Sequence, residues 1–302
     1  MFTLPEASHT PCLERLDAVG WAEHLVVSAY GASVGVRTTE AGTFGAVLAG
    51  QLPPGARVRP VRRTLGGAAV DSLLSVVVGG DGPVRNVRRL HLLYRDGCRV
   101  ARGSALDALR SPFETFLALD VATFSRPYLF VHAGVVAWRG RAAVLTGPSG
   151  SGKSTLVEAL LRLGAEYLSD EFAVVDELGR AHPYERALSM RTEGGQVRTR
   201  VPAAATATAP VPVAALVCAP FSAEAGRWEP LPLSAGEAAM RLAANTIPIR
   251  VRRRFAFERV CRLAERAPVR LAGARADAAA AAETIIATLD TLADREDVPA
   301  HA

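Results

Sequence analysis

Lysine is all but missing from this chain. Among 35 Lys plus Arg side chains in 302 residues, Lys153 is the only lysine. Cysteine is scarce as well. Cys12, Cys98, Cys218 and Cys261 lie far apart, with no CxxC pair and no paired histidine spacing, which argues against a zinc site or a disulfide framework. The first ten residues, MFTLPEASHT, carry no basic segment leading into an apolar core, so no signal peptide is expected. Long apolar runs are also lacking. The nearest, VPAAATATAPVPVAALVCAP (201–220), is broken by Pro202, Pro210, Pro212 and Pro220 and reads as a loop followed by a buried strand, VAALVCA. Finally, charge of one sign is not concentrated anywhere. The net charge of +5 is spread along the chain, and its densest stretch, Arg250 with Arg252, Arg253 and Arg254, reads as a solvated surface before it reads as a docking face. These absences lead to the expectation of a cytoplasmic protein with neither a membrane nor a nucleic acid as partner.

What is present fits a folded enzyme-sized chain: 49% apolar and 22% charged residues supply core for one large domain or two medium ones. Residues 1–110 read as a small, strand-rich α+β accessory domain suited to substrate recognition. The stretches EHLVVSAYGASVGVRT and SLLSVVVGG are β-branched runs bounded by glycine, and RRLHLLYRDGCRVARG (88–103) reads as a hairpin turning at Asp96-Gly97. His24 and His91 stand alone there and are read as structural or surface residues. The stretch 104–124 has apolar residues at helical spacing, and residues 111–126 are read as a connecting helix. Residues 127–295 form a dense α/β block. PYLFVHAGVVAW (127–138) and AAVLTG are strands, GKSTLVEALLRLG is an amphipathic helix stopped by Gly164, and AEYLSDE is a short strand ending in two carboxylates. FAVVDELGRAHPY is a hairpin turning at Leu178-Gly179, ERVCRLAERAPVRLAG is helix then strand, and 275–295 is a final helix.

The single lysine lies in GPSGSGKS (147–154), which satisfies G-x-x-x-x-G-K-[ST] between a strand and a helix. Gly147, Gly150 and Gly152 allow the backbone to turn successive N–H groups inward as an anion nest. The helix that follows directs its positive end to the same point. Lys153 can reach the β and γ phosphates of a nucleotide as a compact point charge, which a planar guanidinium cannot do in the same loop. Ser154 can place its hydroxyl on Mg²⁺. The expected nucleotide-binding residues are therefore Gly147, Pro148, Ser149, Gly150, Ser151, Gly152, Lys153, Ser154 and Thr155, with ATP and Mg²⁺ as the cofactors.

Several protein classes use such a loop. Transporter-type ATPases need an LSGGQ-like stretch followed by Asp-Glu. Here LSAGEA (233–238) comes after YLSDE (167–171), and Asp170 follows Lys153 by 17 residues, so LSAGEA reads as a helix cap instead. Small-molecule kinases of the shikimate or gluconate type start with the loop's own strand, whereas here residues 1–140 precede it.

The segment HAGVVAWRGRAAVLTGPSGSGKSTLVEALLRLGAEYLSDEFAVVD (132–176) resembles the catalytic core of HPr kinase/phosphorylase. It is more similar to the HPr-kinase-related serine kinases found near genes for modified peptides, including lasso-peptide kinases. The resemblance covers residues 127–290 and rests on His132 in the strand before the loop, the loop itself, and the acidic pair after the helix. That family commonly has Asp-Asp where this chain has Asp170-Glu171. The glycine-rich, Glu-containing signature of the bifunctional enzymes is not found, and HPYERALSMRTEGG (182–195) stands in its neighbourhood. The resemblance therefore carries over neither phosphorylase activity nor HPr as substrate.

It does imply a fold: a P-loop kinase core of the HPr-kinase C-terminal, PEP-carboxykinase-like type, preceded by the smaller domain. It implies a reaction too, transfer of the γ-phosphate of ATP to a serine of a peptide or small protein, and, from the family's hexamers, self-association into a homo-oligomer. In that scheme Lys153 holds the phosphates and Asp170 accepts the proton of the incoming hydroxyl. Ser154 holds Mg²⁺ with a carboxylate, Glu171 before Asp170, and His132 either contacts the γ-phosphate or orients Asp170. Arg186, Arg191 and the 250–254 cluster are the candidates for an additional cation. The alternatives from the residues alone are a small-metabolite kinase and a non-catalytic ATP-binding regulatory protein.

Overall fold

The computed structural model describes residues 15–61, 70–80, 90–192 and 195–296. Residues 1–14, which include Cys12, lie outside them, as does most of the terminal stretch EDVPAHA. The chain divides into two compact units, residues 1–126 and 127–302.

The first unit is a mixed sheet carrying one long helix. Its strands are β1 (Glu23–Ala29), β2 (Ala32–Thr38), β3 (Arg57–Pro60), β4 (Ser72–Val77), β5 (His91–Arg95) and β6 (Cys98–Gly103), in the order β3-β1-β2-β4-β5-β6. Asp96-Gly97 turns the β5–β6 hairpin with positive φ at both residues, 46° and 86°, as a two-residue connection between twisted strands requires. The stretch expected to connect the two parts is α1 (Arg110–Phe124), which packs on β2, β4 and β5 of this same sheet. Phe113, Leu117 and Val121, four residues apart, form its fully buried stripe.

The second unit is a three-layer α/β structure. Its strands are β7 (Leu129–Trp138), β8 (Arg141–Thr146), β9 (Glu166–Ser169), β10 (Phe172–Val175), β11 (Arg180–His182), β12 (Leu188–Thr192), β13 (Gly195–Thr199), β14 (Val211–Cys218), β15 (Leu231–Pro232) and β16 (Val269–Ala272). The helices are α2 (Lys153–Arg162), α3 (Ala235–Ala243), α4 (Arg253–Arg266) and α5 (Ala278–Glu296). The main sheet runs β11-β10-β7-β8-β14-β16-β15, with β9 paired to β7. Side chains alternate across it with the period of two that an extended chain imposes. Val131, Val135 and Val144 face one core with Leu242 of α3 and Val260 and Leu263 of α4. Val136, Leu145 and Val217 face the other with Leu156 and Leu160 of α2 and Ile285 and Leu289 of α5.

Strand direction positions the site. β14 is parallel to β8 and β16 is parallel to β14, while β9 and β8 are both antiparallel to β7. The C-terminal ends of β9, β8, β14 and β16 therefore share one rim of the sheet, the usual place for a ligand in an open α/β fold. Asp170, residues 147–152, residues 219–222 and Arg275 all follow directly from those ends.

Candidate functional site

Residues 147–152 join β8 to α2. Gly147, Gly150 and Gly152 have φ of 153°, 84° and 80°. The space around two of them is equally restrictive. A Cβ on Gly147 would stand 2.7 Å from Ser151 Oγ, and one on Gly152 would stand 2.8 Å from an Arg275 nitrogen. Gly152 is also the N-cap of α2 and supplies no capping side chain. By contrast, α3 begins with a complete capping box between Ser234 and Glu237, so LSAGEA is indeed a helix cap. The first N–H groups of α2 are thus left to the loop, which suits an oxyanion. Pro148, Ser149, Gly150 and Thr155 are exposed and Ser151 is buried.

Lys153 is only 9% exposed, and its Nζ donates to the carbonyls of Gly147 (2.8 Å) and Pro148 (3.0 Å). Two of the three ammonium donors are engaged this way, and burial pushes its pKa down to about 8.

Asp170 stands across from the start of α2. β9 and β10 both run along β7, with Ser169 opposite Val135 and Phe172 opposite His132, so Asp170 and Glu171 fall in the gap between the two pairings. The Asp170 carboxylate is buried. Oδ1 accepts from the Tyr167 hydroxyl at 2.8 Å, and Oδ2 accepts from Ser189 N–H at 2.9 Å and Ser154 Oγ at 3.4 Å. Burial raises the Asp170 pKa, and those three donors oppose the rise. Tyr167 Oη accepts Asp170 N–H at 3.1 Å and lies 3.0 Å from the Arg186 carbonyl. Burial, and then the Asp170 charge, hold this phenol well above its ordinary pKa, so it stays a donor.

His132 Nδ1 lies 2.9 Å from the Glu171 carbonyl. A carbonyl only accepts, so Nδ1 carries the proton and the neutral ring leaves its Nε2 lone pair available. Burial first and the Lys153 charge second lower its pKa and favour that neutral form. Glu171 turns elsewhere. Its carboxylate is 36% exposed and lies 3.9 Å from Arg186 Nε, while Asp170 is the acid that meets Ser154.

The structure therefore brings Ser154 and Asp170 into contact at the mouth of the loop, ties His132 to the backbone of the acidic pair, and directs Glu171 toward Arg186. Arg191's side chain lies outside the described residues. In the 250–254 cluster, Arg254 pairs with Glu258 and Arg252 stacks on Phe255, so both serve their own helix. Among the described residues no group of three His, Cys, Asp or Glu side chains converges as a metal site, and no helix is long and apolar enough to cross a membrane.

Three parts of the site were not expected. Tyr167 and the Ser189 backbone hold Asp170. Arg275, 1% exposed, donates from Nη2 to the Gly152 carbonyl at 2.6 Å from 123 residues away. Tyr167 was legible in principle, since it stands three residues before Asp170 in YLSDE. For Arg275 no local signal exists. No protein-family model matches the chain, and a search of curated proteins finds no match either.

Proposed function

We propose that this chain is an ATP-dependent phosphotransferase with a P-loop kinase core of the HPr-kinase type, moving the γ-phosphate to a serine hydroxyl of a peptide or small protein in the cytoplasm. The observation that carries the reading is the 3.4 Å approach of Ser154 Oγ and Asp170 Oδ2 at the open end of the glycine loop. Phosphoryl transfer asks for positioning and charge neutralisation. Lys153 and the first N–H groups of α2 hold the phosphates. Asp170 takes the proton from the incoming hydroxyl as the new O–P bond forms and the bond to the β-phosphate oxygen breaks, releasing ADP. His132, through the Glu171 carbonyl, fixes the short turn that presents Asp170. Ser154 Oγ and Asp170 Oδ2 are hard oxygen donors close enough together to share one small cation, so these two would hold Mg²⁺. Mg²⁺, when bound, neutralises charge on the phosphates.

One observation favours a second reading. The Asp170 oxygens already receive three donors, as a structural carboxylate would, and the chain would then be an ATP-binding regulator. Asp170→Asn separates the two. The protein, Mg²⁺ and γ-labelled ATP are incubated with extract of the source cells, and the label is resolved by size. A kinase yields labelled peptide or protein, lost by about 10²- to 10⁴-fold in the variant while ATP binding persists. Label confined to small molecules points to a metabolite kinase. Equal ATP binding with no transfer by either protein supports the regulator.

A further inference from the structure

The nucleotide reading accounts for the phosphates and leaves the base without a place. Phe221 stands beside the loop, on the side away from Asp170. The sheet order puts β9 and β7 on one side of β8, and β14 and β16 on the other. Phe221 follows the end of β14. Its N–H donates to the Ser151 carbonyl at 3.0 Å, and its Cβ lies 3.4 Å from where a side chain on Gly152 would begin.

The backbone around it is fixed from two directions. Ser222 N–H donates to the Arg275 carbonyl at 2.9 Å, and Arg275 N–H donates to the Pro220 carbonyl at 2.9 Å. Yet Phe221 is 55% exposed. A large aromatic group is thus held in water on a rigid backbone, two residues from the buried Ala219, with its main chain bonded to the loop itself. Isolated exposed apolar residues are ordinary. One anchored to a loop built for anions is placed for a ligand that is anionic at one end and flat and aromatic at the other.

We infer that Phe221 is the platform on which the nucleotide base stacks, with the γ-phosphate directed toward Asp170 and the base toward the end of β14. The inference rests on the phosphate-binding reading of the loop. Stacking uses the π-face that every base has, so Phe221 contributes the same increment of affinity to adenine and guanine nucleotides.

The test is calorimetric titration with Mg²⁺ of ATP, GTP and inorganic tripolyphosphate, the last having no base, into the wild type, Phe221→Ala and Phe221→Trp. Phe221→Ala is expected to weaken ATP and GTP alike, by roughly 10-fold or more, and to leave tripolyphosphate unchanged. Phe221→Trp is expected to retain both nucleotides, and its retention shows that the position tolerates substitution. The inference is overturned if Phe221→Ala binds ATP as the wild type does, or if it loses tripolyphosphate as much as ATP. If the wild type binds tripolyphosphate as tightly as ATP, the phosphate site stands and the base platform falls. If it binds neither, the phosphate reading falls and takes the platform with it.

Discussion

Both units of this protein bury charge, and they do so differently. In the first, Arg37 is fully buried and spends its donors on structure: it bonds Asp17, its Nε donates to Ser75 at 2.8 Å, and its guanidinium lies 4.3 Å over the Trp21 ring. Arg95 pairs with Asp120, which has no exposed surface, with Nε donating at 2.7 Å. There the buried Arg37 and the half-buried Arg95 each hold a carboxylate. In the second unit Lys153 and Arg275 are buried too, and their hydrogen bonds go to backbone carbonyls, with Asp277 acting on Arg275 only through its charge. Their partners are the loop's own peptide groups, at the rim where parallel strands end. Desolvating a charge is costly wherever it occurs. The first unit offsets that cost with counter-charges that complete its fold. The second leaves it partly uncompensated, as the proposed phosphate site would require.

The sharpest way to break this contrast is Arg95→Ala. It strands the Asp120 carboxylate, whose pKa burial already raises to about 6 against the pull of Arg95. A destabilisation of about 3–5 kcal/mol is expected, because the remaining charge has no compensation. Thermal unfolding followed by circular dichroism reads it directly. A loss below about 1 kcal/mol would mean that the pair is not what holds this charge inside.

The same contrast explains what the sequence made legible. Features set by neighbours along the chain were readable: the Asp96-Gly97 hairpin, Gly164 with φ 94° after α2, the cap at Ser234, and the 147–154 loop itself. Each depends on residues within a few positions, where φ preference and hydrogen-bond reach decide the outcome. The assembly of the site was not readable. Asp170 and Ser154 could be nominated from spacing, but the roles of the acidic pair could not. Spacing alone prefers Glu171 to Asp170 beside Mg²⁺; in the structure Asp170 lies 3.4 Å from Ser154 and Glu171 faces Arg186, because the interruption between β9 and β10 sends consecutive side chains opposite ways. Likewise, α1 is apolar at helical spacing whether it connects two parts or packs on one. Only pairing between distant strands brings β16 beside β14, and with it Arg275 under the loop.

Arg275 sharpens the comparison from the other side. In a trans peptide the C=O and N–H point in opposite directions. The Gly152 carbonyl accepts from Leu156 N–H at 3.1 Å and from Arg275 at 2.6 Å, and the two together direct the Lys153 N–H of the same peptide the other way, into the loop. Arg275→Met keeps the volume and removes the clamp. Removing a cation beside the loop and one of the two donors on that carbonyl should weaken tripolyphosphate binding by roughly 10-fold, and the lost bond itself should cost the fold about 1.5–3 kcal/mol. Stability should fall less than in Arg95→Ala, since the Asp277 carboxylate that acts on Arg275 is not hydrogen-bonded to it and the buried, unpartnered Nε is removed as well. Comparable losses of Tm in the two variants would erase the distinction between the units.

The smallest effect is read by pH and concerns Lys153, whose pKa falls from 10.5 to about 8 on burial. Below about pH 8 the ammonium is charged in both folded and unfolded chains, and the full cost of burying it is present. Between about 8 and 10.5 the unfolded chain keeps a proton that the folded chain has lost. Raising the pH across that window therefore favours the fold. Binding should move the other way, since a phosphate needs the charged form. Tripolyphosphate loses its last proton within this range and becomes more anionic, so a fall in its affinity, by up to about tenfold per pH unit above 8, reports the loss of the Lys153 charge while this group's contribution to stability improves. In the first unit no such opposition is expected, because Asp120 titrates near 6 and its window closes before Lys153 begins to lose its proton. Titrations of tripolyphosphate at pH 7.5, 8.5 and 9.5, paired with urea melts at the same values, decide the matter. An affinity that stays flat across that range would place the working charge of the loop somewhere other than its one lysine.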